Sequence, residues 1–503
     1  MKKPCLAPAI SDIKLPVQDR QKRDIEVDHA VILPHNLLAT FHSISEDMFR
    51  EHIMPTGITQ LEEFWNHMSA HPAVANNPMT KIKHWKKLFV PLSIHGDGVP
   101  IVGCGKAWSK GMEAYSWASV LTENTKRLRH WLMSMIHKSS CRNDGSTLDT
   151  IWTEIVKSFE ILYSGVFPAG HAKAGQFIAG GYSFIIFVIK GDLEWIANTL
   201  RLEHFGSLTP CFVCRCDCDD DSRPGTDVRA TAGWKGTEWS SVEEWRDAHP
   251  DLHVLFTAPG VSALNIMPDF MHCKHLGSDQ YFYGSALTLL VRNMLRGTIA
   301  ENVEIVWQDI SQAYGDLRVR NRIGALKASM FIGEGFPRLK AKAANTRAFG
   351  RPLLQVWEKH YDRANLQHRQ IKLGLELSVR IESLLDVEPD GHKMRADTAA
   401  EFSKAINDFL SILTALGNHY HPAGEQLFNF TIKNHMLLHI GGMAVFLHPK
   451  VAWCYSGECF MQIVKRIAVS CVRGSSPTSA SNKATHNFLA GMGFVVFGRD
   501  CWQ

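Results

Sequence analysis

Tyr182–Asp192 reads YSFIIFVIKGD. Its apolar centre, Phe184–Ile189, is continuous, rich in β-branched and aromatic residues, and closed by Gly191 and Asp192. A run of that length without polar alternation predicts a strand covered on both faces, as in sheets flanked by helices. Immediately downstream, LEWIANTLRLEHF (193–205) reads as a helix with Asp192 at its N-cap. Upstream, STLDTIWTEIVKSFEILYSGVF (146–167) carries Leu148, Ile151, Ile155, Phe159 and Leu162 at helical spacing after a Ser/Thr cap. Three apolar runs precede it, LFVPLSIHGDG (88–98), VPIVGCGKAW (99–108) and AYSWASVLT (114–122), each short and bounded by turn formers.

The order from 88 to 205 is therefore strand, strand, strand, helix, strand, helix. It matches a ribonuclease H-like α/β fold, a mixed sheet flanked by helices. Farther on, LELSVRIESLL, AAEFSKAINDFLSILTAL and LFNFTIKNHMLLHI make residues 280–445 mainly helical, which reads as a large, mostly α-helical insertion. The expected organisation is a leader with short helices over 1–80 and the first part of the core over 81–205. A zinc-binding segment and helical insertion follow over 206–445, and the rest of the core with a tail over 446–503. No finger or helix-turn-helix is recognisable in 1–80. The Ser/Asp-rich patch 217–225 and GSSPTSASNK (474–483) read as exposed loops.

Composition is that of an ordinary globular chain: 503 residues, 45% hydrophobic and 21% charged. Lys and Arg (54) nearly balance Asp and Glu (50), so the net charge of +4 gives no strong overall field for a polyanion. The run Lys81, Lys83, His84, Lys86, Lys87 reads as a solvated loop before a strand. No apolar stretch is long enough to cross a bilayer and none near the start has signal-peptide length, so no membrane association or export is expected. Twelve cysteines are too few for a disulfide scaffold; in a reducing compartment closely spaced ones favour metal.

Two acids close strands. Asp97, between Gly96 and Gly98, taken alone reads as a hairpin turn, and Asp192 taken alone is a helix cap as readily as a ligand. In this strand order, however, the first and fourth strands lie side by side and the two carboxylates converge. A third acid, Glu458 in WCYSGECFMQIVKRIAVS, begins a helix whose Phe460, Ile463, Val464 and Ile467 are expected on the sheet. Carboxylates are natural ligands for Mg²⁺, and phosphodiester cleavage uses two such ions.

Cys211 and Cys214 have a zinc half-site spacing, and His435 and His439 lie one helical turn apart; together they make a Cys₂His₂ set. Cys216 and Cys218, with the acids around them, compete for a local site. The pattern argues against a metallopeptidase, because Met436 stands where H-E-x-x-H needs its Glu. In IMPDFMHCKHLG, Asp269, His272, Cys273 and His275 offer a second metal site or a helix start with a buried His.

These segments resemble the CACTA (En/Spm-type) DDE DNA transposases in order and local wording. HGDGVP is similar to that family's strand-ending Asp-Gly motif. GDLEWIANTLRLEHFGSLTPCFVC resembles its second Asp, helix and C-x-x-C. DFMHCKHLG is similar to its D-x-x-H element, NHMLLHI to its paired-His helix and GECFMQIVKR to its closing Glu helix. The resemblance covers roughly 88–470 and implies Asp97, Asp192 and Glu458 as the catalytic acids, holding Mg²⁺ or Mn²⁺. It also implies Cys211, Cys214, His435 and His439 as a structural Zn²⁺ set. The implied chemistry is hydrolysis at a transposon end and attack of the freed 3′ hydroxyl on target DNA, in the nucleus, by a homo-oligomer. Lys106, Lys110, Lys465 and Arg466 are candidates for phosphate contacts. The rival expectations are a catalytically inactive, zinc-stabilised DNA-binding or assembly protein of the same descent, and another ribonuclease H-like nuclease.

Overall fold

A computed structural model of the chain describes residues 9–75, 77–101, 111–122, 130–388 and 391–497. The chain forms two compact units, one drawn from Met1–Leu202, Trp239–Met267 and Cys454–Gln503, the other from Glu203–Glu238 and Pro268–Trp453.

The first unit is mixed α/β. Its strands are β1 (Ile10–Gln18), β2 (Asp24–Ile32), β3 (Phe89–Val99), β4 (Met112–Ser119), β5 (Trp131–His137) and β6 (Ser183–Lys190). β1 and β2 form an antiparallel hairpin, and the other four make one sheet in the order β5-β4-β3-β6. β3 pairs antiparallel with β4 and parallel with β6. Every residue of β6 is buried, as its unbroken apolar run requires. The Ser146–Ser164 helix buries Ile151, Ile155, Phe159 and Leu162, packs on β6, and ends at Gly165 with φ 73, a left-handed position that suits glycine.

Three sequence expectations need correction here, and a fourth falls mainly on residues that are not described. The strand read at 99–108 lies largely outside the described residues. The third antiparallel strand of the sheet is WLMSMIH (131–137), entirely buried. Residues 10–32 are not a leader of short helices: they form the β1–β2 hairpin, fastened to the core by His29 Nε2 to Ser134 Oγ at 3.1 Å and by the Thr147 hydroxyl donating to Pro16 O at 2.6 Å. GSSPTSASNK is mostly the start of the Pro477–Phe497 helix, with proline at the position its ring favours. Ser481 is buried there, and its Oγ accepts the His137 N–H at 3.1 Å.

The second unit is largely helical, as the sequence predicts for 280–445. Its longer helices are Ile299–Asp316, Ala343–His360, Leu366–Leu385, Ala396–Tyr420 and Ile432–Met443. Thr298 and Glu301 close a reciprocal capping box at the first of these. Phe282, Phe349, Trp357, Phe402 and Phe409 fill the interior. The segment 203–238 carries neither helix nor strand. Among the described residues no helix is long and apolar enough to cross a membrane.

The first unit contains four histidines, His29, His35, His71 and His253, whose burial pulls each down to about 4 from the ordinary 6.5. The folded form resists protonation that the unfolded chain accepts, so the stability they confer is complete above pH about 6.5 and is lost as pH falls towards 4. Urea unfolding followed at a series of pH values is expected to show a midpoint falling steadily through that window. A midpoint flat from pH 7 to 4 would contradict the burial of these rings.

Candidate metal centres

The first candidate centre lies at the ends of β3 and β6. Their parallel register pairs His95 with Lys190, so Gly96 falls opposite Gly191 and Asp97 opposite Asp192. Asp192 follows the end of β6, with φ −73 and ψ 164, as the N-cap of the next helix. The two glycines share a face with the Trp195 indole. A Cβ on Gly96 would stand 2.1 Å from Trp195 Cε2, and one on Gly191 would stand 2.4 Å from its Cε3, so neither position admits a side chain. By strand alternation Asp97 lies on the face of β3 opposite Gly96.

That opposite face receives the Tyr455–Val472 helix. A Cβ on Gly457 would stand 2.5 Å from Nε2 of His95, two residues before Asp97 on the same side of β3. Ser456 Oγ lies 3.2 Å from His130 Nε2, whose Nδ1 is 3.3 Å from Ser116 Oγ on β4. The helix therefore starts against the sheet with Glu458 in its first turn. Phe460, Val464 and Ala468 are its buried stripe, whereas Ile463, expected inside, is 39% exposed because the stripe is narrower than the sequence suggests.

Asp192 also has a local duty. Asp192 Oδ1 accepts the Trp195 N–H at 2.6 Å and caps the Leu193–Leu200 helix. All three acids are partly exposed. Their oxygens do not belong to the groups whose donor atoms lie within 4.8 Å of one another. That distance suits a single ion. A pair of ions about 3.5–4 Å apart, each about 2.0–2.1 Å from its oxygens, admits carboxylates up to about 8 Å apart at its two ends.

The second candidate centre is tighter. His435 and His439 on the Ile432–Met443 helix place their Nε2 atoms 3.1 Å apart. Cys214 Sγ is 3.3 Å from His435 Nε2 and Cys211 Sγ is 3.5 Å from His439 Nε2. A tetrahedral zinc ion with ordinary bond lengths sets its donors about 3.3–3.4 Å apart for N and N and about 3.6 Å for N and S. These three separations lie close to the edges of such a tetrahedron, while the donors that all lie within 4.8 Å of one another are Cys211, Cys214, Cys216 and His435. Cys211 Sγ also accepts the Val213 and Cys214 N–H groups at 3.3 and 3.4 Å, curling the C-x-x-C turn around it. His435 Nδ1 lies 3.0 Å from Gly225 O, which makes it the protonated nitrogen and leaves the Nε2 lone pair facing the thiols. The Trp234 ring packs against both imidazoles at 4.5 and 5.1 Å.

Burial drives Cys211 well above the usual thiol range and His439 well below the usual imidazole range. A divalent cation among these donors would favour thiolate and neutral imidazole, the ligating forms. Cys216 is a fifth donor: it is fully buried, and its sulfur groups with Cys211, Cys214 and His435. Cys218, its rival in the sequence, is exposed. Nothing in the spacing distinguishes the two; only the fold turns one inward.

Two further groups lie in the helical unit. Asp269 accepts the Met271 and His272 N–H groups at 3.0 and 3.2 Å and bonds the His272 ring, so both work as a helix start. His275, Asp279 and Glu382 cluster closely enough to hold an ion. The Lys274 ammonium already takes that place, 2.8 and 3.0 Å from the Asp279 oxygens and 3.2 Å from Glu382. This group is a buried ion network.

Of the residues expected at phosphates, Lys106 and Lys110 lie outside the described residues. Lys465 is half-buried and Arg466 exposed on the Tyr455–Val472 helix. Neither the scan against protein-family models nor the search of curated proteins finds a match for this chain.

Proposed function

We propose that the chain is a DDE-type DNA transposase, or an enzyme descended from one, that cuts and joins DNA. In this reading the first unit is a ribonuclease H-like core, Asp97, Asp192 and Glu458 hold two Mg²⁺ or Mn²⁺ ions, and the Cys/His centre holds structural Zn²⁺. The observation that carries it is the β3–β6 register. Asp97 and Asp192 stand at the ends of the adjacent parallel strands β3 and β6, and Gly457 against His95 seats the helix whose first turn bears Glu458 on the Asp97 side of β3. Buried thiols and imidazoles at tetrahedral spacing support zinc over a harder cation.

The metal ions would activate a water or 3′ hydroxyl and stabilise the leaving oxygen. The protein's part is to fix the acids: Asp192 by its cap to Trp195, Asp97 by its strand, Glu458 by the seated helix. DNA, as transposon ends and target, is then the substrate, the nucleus the place of action, and a homo-oligomer the working form that would hold two ends together.

A second reading, an inactive zinc-stabilised DNA-binding protein, draws support from Asp192 already serving as a cap and from the spread of the three carboxylates. The test is nicking of supercoiled DNA by the full chain with Mg²⁺ or Mn²⁺. Ion-dependent nicking supports the enzyme; DNA binding with no nicking at any ion concentration refutes it.

A further inference from the structure

Between Arg318 and Arg351 the sequence holds nine lysines and arginines against a single acid, Glu334. That local excess of eight is twice the net +4 of the entire chain, so the rest of the protein masks it in any overall balance. Most of this stretch, residues 317–342, joins the Ile299–Asp316 and Ala343–His360 helices with one short 3₁₀ turn, Ala328–Met330. Connections beyond about 12–15 residues without their own helices or strands are uncommon in compact units and usually functional.

The connection is anchored. Ile323, Leu326, Phe331 and Leu339 are buried in the helical unit, while Arg318, Arg320, Lys327, Arg338, Lys340 and Lys342 are exposed. Among the described residues none of those six is in an ion pair, although ion pairs are plentiful elsewhere on this surface. Arg320 also lines a pocket of about 500 Å³ with Arg347, Arg351 and Ser378. Arg347 is neutralised there by Glu382 at 2.7 Å and Asp386 at 3.1 Å. Arg351 is exposed, and its guanidinium meets only the Ser383 hydroxyl at 3.4 Å. Exposed cations gathered in one anchored connection without counter-charges repel one another, and a polyanion relieves that repulsion.

We infer that the basic stretch Arg318–Arg351 is a docking surface for the phosphate backbone of duplex DNA, gripping it without reading sequence. Guanidinium and ammonium groups contact phosphates irrespective of base, and each contact releases condensed counterions. The choice of DNA as the polyanion rests on the proposed cutting activity; the charge argument does not.

The test measures binding of the full chain to a short duplex of arbitrary sequence across a salt series. Wild type is compared with the triple variant Arg318→Ala, Arg320→Ala, Lys340→Ala, and with Arg363→Ala, an exposed control in the same unit. The slope of log affinity against log salt is expected to flatten by about 0.9 per contact removed, hence by about two to three for the triple variant, with the control unchanged. A triple variant with the wild-type slope overturns the inference and leaves the cutting activity standing, because nicking is read separately. If the triple variant loses binding to anionic phospholipid vesicles and retains DNA binding, the partner is a lipid surface and the inference fails.

Discussion

Removing the metal from the Cys211, Cys214, His435 and His439 centre is expected to release the whole segment 203–238 from the helical unit. That stretch has no helix or strand of its own, and its ordered path depends on the C-x-x-C turn being tied to the Ile432–Met443 helix. Structural zinc contributes about 10–16 kcal/mol in small zinc-binding modules, comparable with the entire stability of a typical domain at about 5–15 kcal/mol. The expected result is that a chelator, or the pair Cys211→Ser and Cys214→Ser, gives fast amide exchange and protease cleavage across 203–238. Restored zinc should rescue the chelated protein but not the variant. Unchanged protection in the chelated protein would mean that hydrogen bonds and Trp234 packing alone hold the segment. Comparing Cys216→Ser with His439→Ala under the same treatment ranks the fourth ligand: the one whose loss lowers zinc retention more is bound.

The second large effect is expected at Asp97. Asp97→Asn keeps the size of the side chain on β3 but removes the charge that a hard cation requires, so thermal stability should stay near wild type. A cation that neutralises charge developing on phosphate supplies several kcal/mol, and each 1.36 kcal/mol is a factor of ten in rate. Nicking by Asp97→Asn is therefore expected to fall by about a thousandfold or more, with DNA affinity retained. Glu458→Gln should fall similarly. Cleavage by Asp97→Asn at the wild-type rate would remove Asp97 from the chemistry.

The parts of the fold that were legible in the sequence are those where one physical cause dominates. Phe184–Ile189 is marked as a covered strand by its β-branched and aromatic content and by Gly191 closing it, and the Ser146–Ser164 helix shows its buried stripe directly. The C-x-x-C spacing and the one-turn His435/His439 spacing pointed to the place where the fold gathers buried thiols and imidazoles, but not to Cys216, which joins Cys211, Cys214 and His435. The β1–β2 hairpin was hidden by its composition: ISDIKLPVQ and DIEVDHAVI mix acids, a lysine and a proline among their apolar residues. Much of their outward surface is wet, which weakens the alternation that marks a strand. β5 was obscured because WLMSMIH is too short and too uniformly apolar to separate strand from helix. The basic stretch 318–351 is hidden in the totals, because a near-neutral balance conceals a local excess. Cys216 could not be told from Cys218 until the turn that buries one of them was seen.

The central claim is that Asp97, Asp192 and Glu458 form a common pocket for hard cations. Crystals of the full chain soaked in Mn²⁺ test it through the metal's anomalous scattering. The account predicts two manganese peaks about 3.5–4 Å apart, bounded by these three carboxylates. Manganese bound elsewhere on the protein, with none at these acids, would contradict it.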